Sequence, residues 1–291
     1  MRIVISGASG SLAQGLIETA LGSTDHTLVL VDRVLPPQDR IIHDARVSYE
    51  TADLLEYAAF ARVVQGADAL VHLAAYAQPY LASPDVIHNT NVSLSFNALQ
   101  AAADAGIKRI ALASSINAIG GAYSKVQKYE YFPIDEDHPP FVDEPYSLSK
   151  QISEVQAFSF SRAHPDMSIS CLRFHHVVPA RKHMTGAEAL RDNAKDLWGW
   201  TDSLAAGRAI LLALEEHCAD GVKAEDLAKV HFPEAVMKKK MGDKEGFFDC
   251  SKAERLLGWK HTGGREPQSS PPHMVPAPKS GSKQPRGCVI M

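Results

Sequence analysis

Short unbroken apolar runs alternate along the chain with longer stretches whose apolar positions recur every three or four residues. Ile3-Val4-Ile5 is the first run. After it Leu12, Leu16, Ile17, Ala20 and Leu21 repeat at helical spacing until Gly22. Thr27 to Val31 forms the second run and closes on Asp32. Arg46 to Tyr49 predicts a short third strand and Leu54 to about Gln65 a helix. Ala69 to Ala75 is apolar apart from His72, which a buried parallel strand would enclose as a satisfied core histidine. Ser83-Pro84-Asp85 opens a long helix that carries Asn91 and Asn97 and stops at Gly106. Lys108 to Ser115, Tyr146 to His164 and Ser168 to Phe174 continue as strand, helix and strand. Repeated units of this kind predict an α/β fold, a doubly wound parallel sheet with helices on both faces.

Beyond Pro179 the pattern loosens. Thr201 to Glu216 predicts an amphipathic helix with Leu204, Ile210, Leu211 and Leu214 on its apolar side. Glu215 to Phe232 is polar, and Ala253 to Leu257 predicts a short helix before Gly258-Trp259. From about Gly263 the chain is rich in Pro, Ser and Gly and is expected to be disordered. The expected division is a nucleotide-binding domain over 1–178, a small C-terminal substrate lobe over 179–262 and a tail over 263–291.

The first strand-to-helix junction carries the first candidate chemistry. Ser6-Gly7-Ala8-Ser9-Gly10-Ser11 brings backbone N–H groups and the positive end of a helix together, which suits a pyrophosphate. Gly7 permits the tight turn, Gly10 lets a phosphate approach, and Ala13 allows close helix–strand packing. Asp32 follows about 20 residues on, where a carboxylate accepts hydrogen bonds from ribose hydroxyls and repels a 2′-phosphate. NAD is therefore favoured over NADP. Arg33 is the one group here suited to that phosphate. Asp53 is an N-cap candidate that in a dinucleotide fold lies beside the adenine.

Tyr146 and Lys150 stand four apart and share one helix face. An ammonium beside a phenol favours the phenolate, which brings proton transfer toward working pH. Ser115 ends the preceding strand, at the edge where ligands of open α/β sheets gather. Together the three can deprotonate an alcohol while hydride leaves to a nicotinamide. The polar, proline-bearing stretch Gly120 to Asp143 is too long for a routine connection and is expected to flank this site.

Composition restricts the alternatives. The 291 residues are 45% hydrophobic and 22% charged, with a formal charge of −4, giving no reason to expect nucleic acid as partner. The four cysteines, Cys171, Cys218, Cys250 and Cys288, form no C-x-x-C pair, so neither a metal site nor a disulfide framework is expected. The chain opens directly on a strand without a basic leader, which predicts a cytoplasmic protein. Cys288-Val289-Ile290-Met291 reads as a prenylation signal, the one route by which a membrane would enter.

The glycine turn GASGSLAQG, Asp32, Asp53-Leu54, HLAA at 72–75, Asn91, ASSINAIG at 113–120, YSLSK at 146–150 and LRF at 172–174 resemble the extended short-chain dehydrogenase/reductases, in their NAD-dependent epimerase/dehydratase group. The segments 195–202 and 251–261 resemble those of uronate dehydrogenase-like proteins. The resemblance implies a Rossmann-type sheet, Ser115, Tyr146 and Lys150 as catalytic residues, and a homodimer formed through the tyrosine-bearing helix and its neighbour. It also implies NAD contacts at Gly7, Ser9, Gly10, Ser11, Leu12, Asp32, Arg33, Asp53, Leu54, Leu73, Ala74, Ala75, Asn91, Tyr146 and Lys150. Asn117, His175 and His176, with Ser115, are the candidates to face a substrate. Ile116 and Asn117 stand where uronate dehydrogenases carry Asn and His, Ile119 replaces a usual tyrosine, and Leu94 a usual glycine. The function expected is oxidation or reduction of a hydroxyl or carbonyl on a sugar-like or small polar metabolite. The alternatives are a nucleotide-sugar epimerase with transient hydride transfer, and a non-catalytic NAD-binding protein tethered through Cys288.

Overall fold

Alternation within the strands divides the core in two. Ile3 and Ile5 of β1 (Arg2–Ser6) pack into one apolar cluster and Val4 into another. The computed structural model describes residues 1–178, 194–197, 199–215, 255 and 288–290. Within them β1 leads through α1 (Ser11–Ser23) to β2 (Thr27–Asp32), β3 (Val47–Thr51), α2 (Tyr57–Val63) and β4 (Ala69–His72). Then follow α3 (Pro84–Asp104), β5 (Arg109–Ser115), α4 (Pro145–Ala163) and β6 (Ser168–Phe174). The main sheet is parallel, in the order β3-β2-β1-β4-β5-β6. Strand order reverses between β1 and β4, which opens a crevice above their C-terminal ends.

One face of the sheet is covered by α2, α3 and α4, where Phe60, Val63, Ala98, Leu99 and Ala157 meet Val4, Leu70, Ile110 and Ile169. On the other, α1 lies beside α5 (Ser203–Glu215), and Leu16, Ile17, Ile210 and Leu214 meet Ile3, Ile5, Val71 and Leu172. Emptying the Phe60 site alone would cost about 3–5 kcal/mol. His72 is the satisfied core histidine expected. Its Nδ1 lies 2.8 Å from Ser6 Oγ, and burial, followed by the charge of Lys150, holds its pKa down at about 3.

Several expectations shift. The second helix begins at Tyr57, because Asp53 Oδ1 accepts the Leu55 N–H (3.0 Å) and folds 53–56 into a turn. The apolar run at 69–75 leaves the sheet after His72, and its last three residues turn into the crevice. Thr201 and Asp202 do not begin the late helix. They form β8, which pairs with β7 (Val177–Val178), and Asp202 Oδ1 then caps α5 by accepting the Leu204 and Ala205 N–H groups, both at 2.9 Å. That helix completes a face of the sheet. The polar stretch after 215, the helix at 253–257 save Arg255 and the tail at 263–287 lie outside the described residues. At the chain's far end β9 (Cys288–Ile290) adds to the edge of β6 in parallel at Ile169–Cys171. Val289 and Ile290 are β-branched, and a sheet edge favours a covering strand.

Two glycines let α1 and α5 cross at backbone distance. A Cβ on Gly15 would stand 2.3 Å from the Ser203 carbonyl oxygen, and one on Gly207 2.7 Å from that of Gly15. We expect Gly15→Val to destabilise the fold by about 1–3 kcal/mol through overpacking. Chemical denaturation should show a lowered midpoint with an unchanged slope.

Candidate active site

The crevice is a cavity of about 560 Å³. Its floor is the glycine turn. Gly7 has a φ of +72°, donates its N–H to Val31 O (2.9 Å) and lies so close to the backbone just after β4 that a Cβ would sit 2.6 Å from Ala74 N. Gly10 precedes α1 with no side-chain cap, so the amides at the helix start have no side-chain partner, and Ser11, Leu12 and Ala13 line the cavity. An uncapped helix N-terminus behind two glycines fits a diphosphate.

Further along the wall stand Asp32, Arg33, Asp53 and Leu54, with Leu73, Ala74 and Ala75 opposite. Asp32 Oδ2 accepts the Ser9 N–H (2.9 Å) and Oδ1 accepts the Arg33 N–H (2.8 Å), which fixes the carboxylate at the strand end. Two of the expected contact residues stand back from the cavity. Ser9 acts through that bond to Asp32. Asn91 is buried, its Oδ1 accepting the Tyr76 N–H (2.8 Å) and its Nδ2 donating to Tyr76 O (3.1 Å) and Ser149 Oγ (3.0 Å). It shapes the Ala75–Gln78 wall from behind. Its short polar side chain inside a helix signals a bound backbone partner but does not reveal which one.

The far end holds the catalytic candidates, which the structure brings together. Glu144 caps α4, its carboxylate accepting the N–H groups of Tyr146 (2.8 Å) and Ser147 (2.6 Å). This sets the first turn so that Tyr146 and Lys150 face β5. Lys150 Nζ donates to Ala113 O at 2.8 Å and lies 5.9 Å from the Tyr146 ring centre. Ser115 Oγ accepts from Asn117 N (3.1 Å) and Asn117 Nδ2 (3.2 Å). Hydrogen bonding with Ser115 lowers the pKa of the Tyr146 phenol. Burial acts in the opposite sense and dominates, holding Tyr146 above the ordinary phenol range. Burial also brings Lys150 down to about 8. The phenolate favoured by Lys150 in the sequence argument is thus opposed by desolvation.

Asn117 lines the cavity, but its amide is engaged at both ends, since Oδ1 accepts the Tyr123 N–H at 3.0 Å. It orients Ser115 and the stretch 120–143, which does flank the site. That stretch delivers Tyr123, whose ring meets Tyr146 edge-on at 5.5 Å. His175 and His176 both line the cavity. Burial holds His175 at about 4, with the neighbouring His176 adding to the effect. Asp196, which sequence reasoning missed, lines the same end, its carboxyl pKa raised by burial and opposed by His176. Tyr123 lies in an irregular segment and Asp196 ends a single 3-10 turn, both too short of periodicity for any spacing to mark them.

Comparison with known proteins agrees with this geometry. Curated relatives include a dTDP-6-deoxy-L-talose 4-dehydrogenase (NAD(+)) of Aggregatibacter actinomycetemcomitans, 25% identical over 178 residues, covering 61% of this chain and 62% of the relative. A uronate dehydrogenase of Pseudomonas putida is 29% identical over 168 residues, covering 55% and 56%. The chain thus spans less than two thirds of the length of these relatives. Among solved structures, the UDP-glucose 4-epimerase of Thermotoga maritima superposes with a TM-score of 0.65 at 19% identity, covering 90% of this chain and 94% of the other, which shows a shared fold. The model of the NAD dependent epimerase/dehydratase family matches residues 3–228, and with the glycine cradle, Asp32 and the Ser115–Tyr146–Lys150 wall in place, the chain belongs to that family.

Proposed function

We propose that this protein is an NAD-dependent oxidoreductase acting on a hydroxyl or carbonyl of a sugar-like or small polar metabolite. The observation that carries the reading is the meeting of Ser115, Tyr146 and Lys150 on one wall of a cavity whose other end is the glycine cradle. The relatives named above act on dTDP-6-deoxy-L-talose and uronates. Bound NAD would supply the hydride acceptor. Ser115 holds the substrate oxygen, and Tyr146 takes its proton as the C–H hydride departs. Lys150 holds the nicotinamide ribose and opposes the desolvation that disfavours the phenolate. Asn117, His175, His176 and Asp196 give the substrate end polar character. Asp32, as a carboxylate on the ribose, selects NAD. A homodimer through α3 and α4 belongs to the same proposal, supported by the exposure of Phe96, Leu148, Val155 and Phe158 on those helices.

Formation of reduced cofactor should be followed with NAD and a panel of hexuronates, aldoses and secondary alcohols. Turnover in the wild type and a fall of at least about 100-fold in Tyr146→Phe are expected, as for a lost acid–base group, with NADH binding retained. NADH binding with no turnover across the panel would instead favour the non-catalytic alternative. Asp32→Ala is expected to raise the NADP-to-NAD ratio of kcat/KM at least about tenfold, since it removes the repelling carboxylate and leaves Arg33.

A further inference from the structure

Arg173 is a charged residue in a strand whose other side chains are mostly buried, and such a charge needs a partner. Its partner is Glu154 on α4. Arg173 Nε donates to Glu154 Oε1 (2.9 Å) and Nη2 to Oε2 (2.8 Å), a two-pronged pair in which the carboxylate side chain is 5% exposed and the guanidinium 12%. Ser114 Oγ donates to the same Oε1 at 2.6 Å. Ser114 and Arg173 are neighbours in the β5–β6 register, so one carboxylate ties α4 across two strands. Arg173 Nη1 also donates to Glu136 O (3.0 Å) in the site-flanking stretch.

The pair stands directly behind the catalytic wall. Glu154 is one helical turn from Lys150, on the same face of α4. Ser114 lies between Ala113, which accepts from Lys150, and Ser115. We infer that Glu154 and Arg173 are positioning residues for the reaction, a buried ion pair that ties α4 to β5 and β6, holds the Lys150 ammonium against β5 and fixes the charge behind it. This inference rests on the assignment of Lys150 as a catalytic group. The charged and titratable groups acting on Lys150 are few. Glu154 and Tyr146 stand on its own helix, Cys171 on β6 and His72 on β4. His72 is held neutral by burial, and the carboxylate of Glu154, one turn along the helix, is paired with Arg173 on the neighbouring strand. Burial lowers the lysine pKa, and Cys171 and then Glu154 oppose it.

The signs of the two perturbations are opposite. In Glu154→Gln the negative neighbour is gone and Arg173 remains, so Lys150 releases its proton at lower pH. In Arg173→Met Glu154 faces Lys150 alone, and the proton is held to higher pH. Each shift is expected to be about one pH unit, a tenfold change in the ammonium-to-amine ratio at a fixed pH near 8. Arg173→Lys keeps the charge and loses the fork, so its midpoint should stay near the wild type.

The direct measurement is the pH dependence of Lys150 acetylation by acetic anhydride, read by mass spectrometry of its peptide in the full chain. NADH affinity by fluorescence over the same pH range is the second readout, falling as Lys150 loses its proton. Midpoints displaced downward in Glu154→Gln and upward in Arg173→Met support the inference, and each variant tests it alone if the other does not fold. Midpoints that coincide with the wild type in folded variants would overturn it, leaving the pair a purely structural tie. Displaced acetylation midpoints without NADH binding in any form would retain the pair and refute the cofactor assignment.

Discussion

The site depends on α4 lying within hydrogen-bond reach of the last three residues of β5. Ala113 takes the Lys150 ammonium, Ser114 donates to Glu154, and Ser115 meets Tyr146. Three successive strand residues thus read three positions at four-residue intervals on one helix, 146, 150 and 154. A strand rises about 3.3 Å per residue and a helix 1.5 Å, so four helical residues cover about 6 Å, roughly two strand positions. The two spacings differ, and the partners do not run in the same order along both elements, so the long side chains of Lys150 and Glu154 make up the difference. A shift of the helix by one turn would move each of these side chains off its partner at once.

That alignment is protected by polar groups rather than by apolar packing alone. The capping carboxylate of Glu144 fixes where α4 starts, and the Glu154–Arg173 pair fixes its depth against the sheet. Breaking a buried ion pair on one side leaves an uncompensated charge, which costs several kcal/mol. Replacing Arg173 or Glu154 alone therefore perturbs more than the bond it removes. The same economy appears at the other end of the cavity, where Asp32 is held by backbone N–H groups on both oxygens.

Much of this was legible in the chain. The parallel sheet followed from apolar runs separated by helical periodicity, and the site from glycines, a strand-end serine and a Tyr/Lys pair at helical spacing. The roles of Glu154, four residues beyond Lys150, and of Arg173, a cation in an apolar strand, were not read from the chain. Neither could be placed without the register that sets Ser114 beside Arg173. Asn91 and Asn117 were matched by position, but position does not say that their amides are occupied by backbone. Tyr123 comes from an irregular segment and Asp196 from a single 3-10 turn, where tertiary contact alone decides which side chain meets the cavity. The start of α5 was misread because Asp202 serves a strand and a cap together.

The glycine crossing of α1 with α5 bears on the order in which the molecule is built. The helix that presents the phosphate cradle is covered by a segment nearly two hundred residues later in the chain. During synthesis the first half of the sheet emerges with Leu16, Ile17 and Ala20 still open to water, and contacts so distant in sequence close slowly. The cradle is made long before the helix that seats it, so a nascent chain gains its nucleotide-binding shape only when its late helix arrives.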